Sequence, residues 1–190
     1  MYASLTFDKY YRLLIASQEG EIDNISVVAI MTGQTVEYWK QSTDRRLFDS
    51  LVSQINTNLN MLNNGVPEFI MGVEMPKDLG FVACGVYEDA KAVAKKIAEA
   101  QGFDKFLYYP ELIAGYVQWR EDGNYDSLLA KKVEENVWKA NASDVIGACN
   151  FFLENLSGLK PGTLTGLQNP IMKERKLMQG IKHFMKRLGL

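Results

Sequence analysis

The chain has 190 residues, 47% hydrophobic and 23% charged, a composition that suits one well-buried core and excludes wholesale disorder. A formal charge of -2 marks the whole neither as a nucleic-acid binder nor as an acidic tail protein. The charge is uneven, though: Lys173, Arg175, Lys176, Lys182, Lys186 and Arg187 against Glu174 give residues 173–190 a net +5, which leaves -7 on residues 1–172.

In chain order, Thr6 is placed to cap a first helix whose Tyr10, Leu13 and Leu14 form an apolar stripe up to Ser17, closed by Glu19-Gly20-Glu21. Asp23 or Asn24 caps a second, with Ile25, Val28, Ala29 and Met31 inward and Gly33 at its left-handed end. Thr35 starts a short helix carrying Tyr38 and Trp39. Thr43-Asp44 caps a longer one through Leu47, Leu51, Ile55, Leu59 and Leu62, stopped by Asn63-Asn64-Gly65. Between Val66 and Leu79 the pattern alternates between bracketing prolines, which predicts a small hairpin near 67–76 turning at Gly72. Helical spacing resumes over Val86–Ala100, with Gly102 as its stop, then over Glu111–Trp119 behind Pro110. A further helix opens at Tyr125-Asp126 and runs to Trp138. Ser143-Asp144 caps a strongly apolar helix, Val145 to Leu156. The expected fold is mainly α: a compact multi-helix domain over 1–157 with one β-hairpin, a Gly/Pro-rich linker over 158–170, and a basic amphipathic helix over 171–190.

The residue inventory offers little for catalysis. His183 is the single histidine and sits among Lys182, Lys186 and Arg187, so a Ser-His-Asp or Cys-His arrangement has no other base to use. Cys84 and Cys149 form no CxxC and lie in apolar runs, which predicts two buried free thiols. The carboxylate pairs Glu88-Asp89, Glu121-Asp122 and Glu134-Glu135 are adjacent residues, which on a helix diverge by about 100° and read as solvated faces. A magnesium site built from distant carboxylates stays open. Leu159–Thr163 lacks the glycine and G-K-[ST] order of a phosphate loop, and Gly80–Gly85 lacks G-x-G-x-x-G. The aromatics Phe106, Tyr108, Tyr109, Tyr116 and Trp119 are flanked by more acid than base, which favours core or protein contact over a nucleic-acid stacking platform. No catalytic, cofactor-binding or metal residue is assigned, and no small-molecule substrate is expected.

The terminal segment is the strongest functional lead. Leu177, Ile181, Phe184 and Leu188 repeat at helical spacing, with Lys182, Lys186 and Arg187 beside them. Such a helix packs on its own domain, docks in a partner's groove, meets nucleic acid or, least expected of the four, lies on an anionic membrane. No signal-peptide pattern opens the chain, and no apolar run approaches the roughly 18 residues of a membrane span, so no membrane partner is expected.

Three stretches carry a resemblance. Val73–Leu79 through Gly85–Asp89, then Tyr109–Ala114 with Tyr125-Asp126, then Ser143–Leu153, resemble in order and spacing a family of small proteins encoded among the structural genes of crAss-like and similar tailed phages. The opening, Leu5–Tyr11 to Met31–Val36, is similar to phage tail-assembly-chaperone-type proteins. The resemblance implies a non-enzymatic virion or assembly protein: a neck or tail ring component, a packaged protein, or a chaperone. It implies other virion or assembly proteins and further copies of itself as partners, and a place in the virion or the host-cell cytoplasm. The alternative is a nucleic-acid-associated accessory protein acting through its basic C-terminal helix.

Overall fold

The structure, a computed structural model, describes residues 4–20, 22–62 and 65–156. The linker and the basic helix expected over 158–190, with His183, Leu177, Ile181, Phe184, Leu188, Lys182, Lys186 and Arg187, lie outside the described residues.

Eight α-helices and one two-stranded antiparallel sheet occur among the described residues. Four helices come first: α1 (Phe7–Glu19), α2 (Asn24–Thr32), α3 (Val36–Gln41) and α4 (Arg45–Asn60). Their starts are set by short polar side chains taking orphan backbone donors. The Asp23 carboxylate accepts from Ser26 N–H at 2.7 Å, Thr35 from Tyr38 N–H at 3.1 Å, and Asp44 from Leu47 N–H at 2.9 Å. Gly33 closes α2 in the left-handed conformation. Thr6 occupies the cap position of α1 but does not cap it; its hydroxyl donates instead to Asp8.

The hairpin pairs β1 (Phe69–Ile70) with β2 (Val73–Glu74), register Phe69 to Glu74 and Ile70 to Val73. Its turn residues Met71 and Gly72 have φ of 53° and 83°, the two positive values of a type I′ turn. Two strands alone are marginal. This pair is anchored by the Tyr116 hydroxyl, which donates to the Glu74 carbonyl at 2.6 Å, and by Ile70, buried beneath it.

A 3-10 turn (Leu79–Phe81) leads into α5 (Cys84–Glu99), and a second (Asp104–Tyr108) leads into α6 (Tyr109–Asp122). Then follow α7 (Ser127–Lys139) and α8 (Ala142–Leu156). α6 is the central element, packed against α5, α7 and α8. α8 is buried from Val145 through Leu153 without a break, as fits a stretch that is apolar on every side except at Asn150. The chain start is tied to the α7–α8 junction: Phe7 N–H donates to Ala140 O at 2.9 Å and Ala142 N–H to Leu5 O at 3.0 Å. α8 therefore begins earlier than the Ser143-Asp144 cap predicts, because Asn141 accepts from Ser143 N–H at 2.8 Å and takes the capping role.

The aromatic stretch belongs to the core. Tyr109 stacks on Phe7 with centroids 6.0 Å apart and also meets Phe106 at 4.9 Å, while Tyr116 meets Phe152 edge-on at 5.5 Å. The thiol expectation is half corrected. Cys149 is buried, its Sγ donating to Tyr109 O at 3.5 Å, but Cys84 is exposed. The apolar run Val82–Cys84 is where the chain turns into α5, so its last residue faces solvent at the helix N-terminus. Gly102 likewise does not end α5, which stops at Glu99 with Ala100 already extended.

Candidate functional site

Between α5, α6 and α7 lies a cleft of about 240 Å³. Val86, Ala90, Val93, Leu112 and Ala130 form its apolar floor, and Asp89, Lys96, Glu111, Tyr125, Lys131 and Glu134 its polar walls. Each helix contributes one carboxylate: Asp89 from α5, Glu111 from α6 and Glu134 from α7.

The wall is built from the α6–α7 turn. Gln118, only 1% exposed, donates through Nε2 to the Asp122 carboxylate and to the Asn124 carbonyl, both at 2.9 Å. Its Oε1 accepts from Asp126 N–H at 2.9 Å. One buried amide thus fixes residues 122–126, and Asp126 in turn caps α7 by accepting from Leu128 N–H at 2.8 Å. The turn delivers Tyr125 into the cleft, where its ring lies against glycine positions on two helices. A Cβ at Gly85 would come within 2.6 Å of that ring and one at Gly115 within 3.4 Å. At Gly85 only the lack of a side chain lets the ring in, while at Gly115 a Cβ would just touch it. The Tyr125 hydroxyl donates to Asp89, and burial together with that carboxylate raises its pKa far above the usual value.

On the far side Lys96 and Glu111 form an ion pair at 2.7 Å, which pushes the Lys96 pKa up. Lys96 also lies 5.8 Å from the Tyr108 ring centroid. Burial, with the charge of Glu111 added, raises Glu134, although Trp138 donates a hydrogen bond to it. The adjacent carboxylates diverge as predicted: Glu88 pairs with Lys91 at 3.2 Å while Asp89 turns to Tyr125, and Glu135 is exposed while Glu134 is half-buried. The residue pattern gives no sign that one member of each of two distant pairs enters the same cleft, or that Gln118 organises its wall. The spacing Gly85…Asp89, one helical turn apart on α5, is the local trace of the Tyr125 seat.

No protein-family model, no curated protein and no solved structure matches the chain.

Among the described residues no group of three His, Cys, Asp or Glu side chains is placed to hold a metal ion, and no helix is long and apolar enough to cross a membrane. A second surface carries apolar side chains into solvent. Val66 is 51% exposed, Phe69 49% and Phe81 83%, on the segments just before, within and after the hairpin. β1 and the Leu79–Phe81 turn both pack on α8, and residues 65–67 cross it at Gly147.

Proposed function

We propose that the chain is a non-enzymatic protein acting by protein–protein contacts, in a tailed-phage virion or in its assembly. The virion setting is supported by the resemblance carried by Val73–Asp89, Tyr109–Ala114 and Ser143–Leu153. The mode of action is supported by one structural observation, the exposed Val66, Phe69 and Phe81 on segments that flank a single buried helix. Exposed apolar side chains on segments that pack on one buried helix are places where another protein can sit.

The test is co-expression with the proteins encoded beside it, followed by gradient sedimentation. The chain is expected to travel with a ring, capsid or tail assembly, and the double variant Phe69→Ser, Phe81→Ser to stay at the top of the gradient while melting like the parent. Neighbours of purely metabolic type, or a chain that never joins an assembly, overturn the proposal. The basic residues 173–187 favour nucleic acid as the second reading. Steeply salt-dependent binding to a DNA duplex would support it.

A further inference from the structure

We propose that the cleft between α5, α6 and α7 receives a lysine or arginine side chain from the basic segment 173–187 of a second copy of the chain, joining copies body to tail. This rests on the reading of the chain as a contact protein, and it names the partner and the surface.

The cleft matches that ligand in two respects. Its floor, Ala90, Val93, Leu112 and Ala130 among others, is aliphatic, the surface along which the methylene stem of Lys or Arg packs while the head stays polar. Its walls set Asp89, Glu111 and Glu134 against Lys96 and Lys131, so carboxylates exceed cations by one. Lys96 is already engaged with Glu111, and Lys131 is exposed. A carboxylate has room for several donors, so Asp89 can accept from an incoming cation besides Tyr125, and Glu134 besides Trp138. Burial, with the neighbouring charge of Glu111, raises the Glu134 pKa, so a cation brought to this carboxylate would favour its charged form.

The chain itself supplies the occupant. Residues 157–190 continue from Leu156 at the end of α8, begin with the connector Gly158–Pro170, and carry six Lys/Arg. The net charges are opposite, -7 on residues 1–172 and +5 on 173–190. A volume of about 240 Å³ suits one long side chain rather than a whole helix, so the contact is made by single basic residues presented to the cleft. Such a contact is heterologous, and its repetition closes rings or extends filaments. That is the geometry a neck or tail ring requires.

The test uses two variants of the full chain. Glu134→Lys fills the cleft with a cation of its own; the second variant replaces all six Lys/Arg of 173–187 with Gln. Sedimentation equilibrium at low salt should show wild type associating with rising concentration. Each variant alone should associate about ten- to a hundredfold more weakly, the range for a lost charged hydrogen bond. An equimolar mixture should regain a pair, because the first variant's tail can enter the second variant's cleft. Glu134→Gln, which removes the charge with little change in shape, should weaken association in the same direction and guards against misfolding of the lysine variant. If Glu134→Lys and Glu134→Gln both associate as tightly as wild type, the cleft is not the receptor, while the wider reading of a contact protein stands. A mixture that stays monomeric, or a wild type that never associates, also overturns the inference.

Discussion

Replacing Gln118 by Met keeps the length and buried stem of the side chain and removes its amide, which makes it a sharp test of how the cleft wall is held. Three hydrogen bonds disappear, to Asp122, to the Asn124 carbonyl and from Asp126 N–H. At roughly 1 kcal/mol each the loss is about 3 kcal/mol. Water can reach the exposed turn residues and replace part of it, whereas packing a thioether against the Asp122 carboxylate adds no gain. A domain of this size loses about 2–4 °C of Tm per kcal/mol, so the melting point should fall by about 6–12 °C. Urea denaturation followed by circular dichroism reads the same quantity and should show an unchanged m-value. Asp122→Ala removes only one of the three bonds and should cost about 1 kcal/mol. A Gln118→Met protein within about 0.5 kcal/mol of wild type would show that the 122–126 turn holds itself without the buried amide.

Three further outcomes follow from the same structure. Gly147→Ala places a Cβ against the Gly65 carbonyl and 3.0 Å from Pro67 Cδ, so the overpacking cost of about 1–3 kcal/mol should outweigh the helix-propensity gain of about 1 kcal/mol, read by chemical denaturation. A thiol reagent should modify Cys84 rapidly in the folded protein and Cys149 only after unfolding; equal rates would contradict the burial of Cys149. Glu134 has a folded-state pKa raised above the usual 4.5, so its neutral form favours the fold fully below that value and the benefit is lost as pH rises through the folded value. Glu134→Gln should therefore melt at or above wild type at pH 7, with the difference gone near pH 4, and a variant that melts clearly lower at pH 7 would contradict the assignment.

Much of the fold was legible because it is written locally. Asp23, Thr35, Asp44 and Asp126 cap helices from positions that their own sequence neighbourhood identifies, and Gly72 marks the hairpin turn without reference to anything distant. The misplaced features depend on long-range partners. α8 starts at Ala142 because residues 5–7 pair with the backbone on either side of Asn141, more than a hundred residues away. Cys84 is exposed because an apolar neighbourhood in sequence does not fix where a helix N-terminus points. The cleft was invisible for the same reason: Asp89, Glu111 and Glu134 come from three helices, and a lone Gln118 among apolar residues gives no sign of three buried bonds.

Quantitative mass spectrometry of gradient-purified particles and assembly intermediates, made from the gene cluster that encodes the chain, decides the proposal that it works by joining other virion proteins. The chain should stand at a fixed ratio to a ring, capsid or tail protein in at least one of those fractions. Its absence from every particle and intermediate, with the protein present and folded in the same lysate, would overturn the proposal.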